Sequence, residues 1–102
     1  MPNNRIKFMG QLVLIRTTFK KQDYTIILDV EDYTKINTLG KIYLQEKNGV
    51  VYPYVTTKKL GGAVTLSRII YSDKNISRIY YQNYNNLDLR KSNIRLYRKT
   101  PK

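Results

Sequence analysis

Residues Val64 to Arg98, VTLSRIIYSDKNISRIYYQNYNNLDLRKSNIRLYR, hold the features on which the fold reading turns. The apolar positions Val64, Leu66, Ile69 and Ile70 fit either a strand or a strand passing into a helix. Ser72-Asp73-Lys74-Asn75 reads as a turn. A β-prone segment ending in Tyr80-Tyr81 follows, and then an Asn-rich turn. In Leu87 to Arg95, Asp88 stands where the N-cap of a short helix belongs, which places Arg90, Lys91 and Asn93 on one helical turn. Arg95 through Lys102 reads as a strand followed by a basic tail.

Upstream, residues 1 to 11 show no periodicity beyond Ile6 and Phe8 and read as a loose arm. Leu12-Val13-Leu14-Ile15 and Tyr24-Thr25-Ile26-Ile27-Leu28 are dense β-prone runs around a polar Lys20-Lys21-Gln22-Asp23 cluster, a hairpin with an imperfectly defined turn. Asp29 ahead of Glu31 and Asp32 suits the positive end of a helix. Tyr33, Ile36 and Leu39 recur at three-residue spacing before Gly40, which predicts a short helix over about 30–38. Asn48-Gly49, between Lys41–Gln45 and Val50–Val55, is a strong hairpin signal. Pro53 cannot donate to a ladder, so its strand is expected at an edge or bulged. Lys58 to Gly62 reads as a flexible turn.

The pattern predicts one α+β domain over 1–102. Its first part, residues 1–57, carries hairpins and a short helix, and its second part, 58–102, is basic. There is no internal repeat, low-complexity tract or linker. The formal net charge is +12, with about +3 on residues 1–57 and about +9 on 58–102. Such an excess points to a polyanion, and the ten tyrosines, able to stack on bases or bond phosphates, favour nucleic acid. The absence of cysteine excludes disulfides and thiolate metal sites, and the absence of histidine removes the commonest general base and zinc ligand. No amphipathic Lys-rich helix suits a membrane surface, no run approaches a membrane span, and MPNNRIKFMGQ lacks a signal-peptide core. The expected location is the cytoplasm of a host cell, with no membrane partner and no cofactor.

Several segments recur in a familiar order: Asp29-Val30-Glu31-Asp32-Tyr33, the Asn48-Gly49 hairpin, Leu66-Ser67-Arg68-Ile69-Ile70, Tyr80-Tyr81-Gln82-Asn83-Tyr84-Asn85, and Leu87 to Arg95. This order resembles the HNH endonucleases of phages and homing elements, with their "DDEDY"-like segment, aromatic hairpin, "LHRLI"-like element, "DHINGN" strand and turn, and closing "LDNRxSNLR". The resemblance covers about residues 24 to 98, and the closing LDLRKSNIRL is its sharpest part. It implies that the chain ends in a degenerate ββα (HNH-like) unit. The family's first His falls at Ser67, its metal-binding Asp at Tyr80 and its general-base His at Tyr81, so none is retained. Asn93 matches the family's Asn ligand, and Asn83 and Asn85 match the turn asparagines.

One amide cannot hold a divalent cation alone, and tyrosine, with a pKa of about 10, is a poor base at neutral pH. The resemblance therefore implies a non-catalytic protein with no metal, of phage or prophage origin, that grips the backbone of double-stranded DNA. The expected nucleic-acid-binding set is Arg68, Arg78, Tyr80, Tyr81, Arg90, Lys91, Asn93, Arg95, Arg98 and Lys99. Tyr80 and Tyr81 fit either a binding role or packing into the space of the lost ligands, and Asn93 fits a brace for the turn asparagines. The alternative is a small viral inhibitor that binds a host polymerase, nuclease or CRISPR effector through its tyrosines and arginines. RNA is a third possible partner.

Overall fold

The computed structural model describes residues 5–57, 61–71 and 76–98. The readings at Lys58 to Leu60, Ser72 to Asn75, Lys99 and Lys102 lie outside them. The architecture is α+β: two three-stranded antiparallel sheets, a two-stranded ribbon and two short helices.

The first sheet is a meander of β1 (Arg5–Met9), β2 (Leu12–Phe19) and β3 (Gln22–Asp29). The N-terminal segment is thus a strand rather than a loose arm, because Gly10, at φ +60°, turns it back so that Met9 pairs with Leu12 and Arg5 with Arg16. Lys20 and Lys21, at φ +51° and +65°, make the two-residue connection between β2 and β3, with Phe19 opposite Gln22. Two lysines are poor residues for a turn of this kind, which usually takes Asn or Gly. Lys20 Nζ is anchored 2.8 Å from Glu46 of the second sheet.

α1 (Val30–Ile36) follows and ends two residues short of the predicted helix. Asp29 occupies its N-cap position but makes no cap bond; its carboxylate accepts from the Lys91 backbone N–H at 2.8 Å. Gly40 then passes so close to the strand that holds Thr56 that a Cβ there would sit 2.0 Å from the Thr56 carbonyl oxygen, which restricts the position to glycine.

The second sheet is β4 (Lys41–Lys47), β5 (Val50–Thr57) and β6 (Gly62–Thr65). Asn48-Gly49 makes the expected tight turn, at φ +53° and +80°. β5 is the central strand, not an edge. It tolerates Pro53 because the pairing with β6 begins only at Tyr54 opposite Thr65, so the missing N–H costs no bond on that side. β6 runs directly into α2 (Leu66–Ile70), the strand-into-helix reading of this stretch.

β7 (Ile76–Tyr81) and β8 (Ile94–Arg98) form the ribbon. The segment between them is not the predicted helix. It makes one turn, in which the Asn93 and Ile94 N–H groups both donate to Arg90 O, and it goes no further. Its start is tied to β3, where Ile27 N donates to Leu87 O at 2.8 Å and Leu89 N donates to Ile27 O at 2.6 Å. Leu87 and Leu89 are thereby buried against Val13, Ile15, Ile26 and Leu28 of the first sheet, Ile42, Leu44 and Val55 of the second, and Ile36, Leu66 and Ile70 of the helices. Two leucines that bury at i and i+2 hold the segment extended, which outweighs the helix-start signal at Asp88. Among the described residues no helix is long and apolar enough to cross a membrane.

Candidate nucleic-acid interface

Strand alternation divides the ribbon into two faces. Ile79, Tyr81, Ile94 and Leu96 turn inward, whereas Arg78, Tyr80, Arg95 and Tyr97 turn outward. On the outer face Arg78 pairs across to Tyr97 and Tyr80 to Arg95. Arg78 donates to the Tyr80 hydroxyl at 3.0 Å, and the Tyr80 and Tyr97 rings meet edge to face at 5.0 Å. Arg95 reaches Gln82 at 3.5 Å. The result is a rigid lattice of alternating guanidinium and phenol groups, continued by Ser77 and Arg98 into a shallow depression.

Tyr80 also lines a groove of about 380 Å³ with Tyr52, Thr65, Ser67, Arg68, Ile79, Tyr81, Tyr84 and Asn86. Ser67, Tyr80 and Tyr81, the positions that the resemblance aligns with the family's ligands and base, are brought together here. Burial pushes the Tyr81 hydroxyl above the usual tyrosine range, partly offset by its hydrogen bond with Ser67. At neutral pH it stays protonated and is no base. Of the tyrosine pair, Tyr81 packs against the core, whereas Tyr80 is exposed.

The groove does not fit a divalent cation. Among the described residues no carboxylate lines it, and no three Asp or Glu side chains are placed to hold a metal. The Asn93 amide is 5% exposed and engaged at both ends: Oδ1 accepts from Asn83 N, and Nδ2 donates to Asp88 O, each at 2.9 Å. It braces the Asn-rich turn.

Asp88 completes this brace. It is 1% exposed, and its two oxygens accept from Asn83 Nδ2 at 2.9 Å, Arg90 Nε at 2.8 Å, Arg90 Nη2 at 2.6 Å and Arg90 N at 3.3 Å. Arg90 is therefore committed to the fold. So is Lys91, whose ammonium lies 2.7 Å from fully buried Asp32, 2.6 Å from Glu31 and 3.9 Å from Asp29. Three acids against Lys91 and Lys35, the latter 3.5 Å from Asp32, leave that corner negative, a poor place for a phosphate.

Of the expected binding residues, Arg68, Arg78, Tyr80, Arg95 and Arg98 share the ribbon face or the adjoining groove. Tyr81 lines the same groove from its inner side, Asn93 is buried, and Arg90 and Lys91 are held by acids. Tyr84, at the groove's rim and 92% exposed, was missed. Its signal was an aromatic residue inside an Asn-rich turn, where a small residue is usual. Compared with known proteins, the chain matches no protein-family model, no curated protein and no solved structure.

Proposed function

We propose that the chain is a non-catalytic nucleic-acid-binding protein on a degenerate HNH-like scaffold, which holds the backbone of double-stranded DNA with the outer face of β7–β8 and the groove beside it. The observation that carries this reading is the sign of the charge on that face. Arg68, Arg78, Arg95 and Arg98 border it, and among the described residues no acidic side chain lines either depression. The acids of the same corner, Asp29, Glu31, Asp32 and Asp88, are instead paired with Lys91 and Arg90.

A two-stranded antiparallel ribbon is narrow enough to lie along a DNA groove, and a guanidinium held by a neighbouring phenol, as Arg78 is by Tyr80, meets phosphate oxygens with little loss of side-chain freedom. The scaffold reading is supported by the convergence of Ser67, Tyr80 and Tyr81 on one groove and by the link from Asn93 to Asn83. Phosphodiester cleavage needs a base or a metal-activated water, and the groove's side chains supply neither.

A gel-shift titration with short duplex DNA, with and without magnesium, tests the reading. Binding at submicromolar protein and low salt is expected, with the DNA intact in magnesium. Cleaved DNA, or no shift at low salt, contradicts it.

A further inference from the structure

The turn after β7 carries a residue at odds with its backbone. Tyr84 has φ +61°, a left-handed conformation that glycine enters freely and an aromatic residue seldom does. Its ring is 92% exposed, so packing does not compensate for the strain.

The neighbours impose this conformation. Tyr84 N donates to Tyr81 O at 3.0 Å. On one side, Asn83 is fixed through its N–H to buried Asn93 and through its amide to buried Asp88. On the other, Asn85 N donates to Asn83 Oδ1 and Leu87 N donates to Asn85 Oδ1, at 2.9 and 3.0 Å. A buried polar network thus holds a solvent-exposed aromatic ring, on a strained backbone, at the rim of the groove that contains Arg68, Tyr80 and Asn86. Strain kept in place by the surrounding structure, with no gain in packing, is a mark of a functional position.

We propose that Tyr84 is a stacking residue that receives an unpaired nucleobase at this groove, so the preferred ligand is DNA with a short single-stranded gap rather than uninterrupted duplex. The inference rests on the nucleic-acid reading above and narrows its ligand. With the ribbon arginines on the phosphates, an unpaired base can stack on the ring of Tyr84, which is more exposed than that of Tyr80 and shares the groove with Asn86. Bases in continuous duplex are stacked on both sides and reach such a ring only after costly unstacking, whereas a base in a gap is already available.

The test uses gapped and intact duplexes of one sequence, with 2-aminopurine in the gap, and the full chain as wild type, Tyr84→Gly and Tyr84→Phe. Wild type and Tyr84→Phe should prefer the gapped DNA and change the 2-aminopurine fluorescence. Tyr84→Gly suits the backbone and should melt close to wild type, yet lose roughly 5- to 150-fold in affinity for gapped DNA and leave the fluorescence unchanged. Tyr84→Gly binding gapped DNA as wild type does, or wild type binding both DNAs equally, overturns the inference. If Arg78→Glu/Arg95→Glu abolishes binding to both DNAs, the nucleic-acid reading survives that failure. If wild type binds neither DNA, both fall.

Discussion

Asp88→Asn is expected to lower the melting temperature by roughly 12–24 °C, the consequence of a loss of about 3 kcal/mol in a domain of this size. Each partner of this buried carboxylate is a donor: Asn83 Nδ2 and the backbone N, Nε and terminal nitrogen of Arg90. An amide of the same shape must turn its NH2 group toward one of them, leaving two donors face to face at a position that is 1% exposed. Asn83 is released at the same time, and the turn over the groove loses its brace.

The acid limb follows from the same bonds. Burial raises the pKa of Asp88, but the bonds from Arg90 and Asn83 outweigh it and hold the carboxyl below the usual range. The resulting stabilisation is complete above the unfolded-state pKa of about 3.9 and is lost as pH falls through the lower folded value. Wild type should therefore lose stability below about pH 4, and Asp88→Asn should show a shallower fall over that interval. Circular-dichroism melts across pH check both, and a variant that melts like wild type at neutral pH refutes the buried-brace account.

Charge reversal at Arg68, Arg78 and Arg95 together should weaken duplex binding by about 100-fold or more while the melting temperature stays near that of wild type. All three side chains are exposed, and each reversal removes two charges, so the net charge falls from +12 to +6. Reversal at Lys91 also abolishes binding, but by a different route. It sets a fourth negative charge among Asp29, Glu31 and fully buried Asp32, and the chain should unfold. Anisotropy titrations with melts on the same samples separate the two. Loss of fold in the triple variant, or retained fold in Lys91→Glu, would reverse the assignment of these residues.

Much of the fold was legible because its signals are local. Asn48-Gly49 specifies its own turn, and the dense β-prone runs Leu12 to Ile15 and Tyr24 to Leu28 mark two paired strands. β1 was missed because all five of its residues are exposed and give no alternation; only Gly10 marked the turn. The Lys20-Lys21 turn lacks the residues that announce one, and its Glu46 partner lies 26 positions away.

The closing segment shows how local and distant information conflict. Asp88 ahead of Arg90 to Asn93 reads as a helix start, and only the burial of Leu87 and Leu89 beside Ile27 keeps the segment extended. For the site, the basic and tyrosine-rich character of the second half was plain. Which cations face solvent was not, because Lys91 meets Asp32 and Asp29 across 59 and 62 positions. Sequence shows the number of charges, whereas the fold decides which are neutralised.

The central claim is that the outward ribbon arginines bind phosphate, and the salt dependence of duplex binding tests it most directly. Affinity measured by anisotropy over a series of salt concentrations, for wild type and for Arg78→Ala/Arg95→Ala, gives a log–log slope that reports phosphates neutralised. The account predicts a slope shallower by about 1.8 in the double variant, roughly 0.9 for each lost contact. Equal slopes for the two proteins would contradict it.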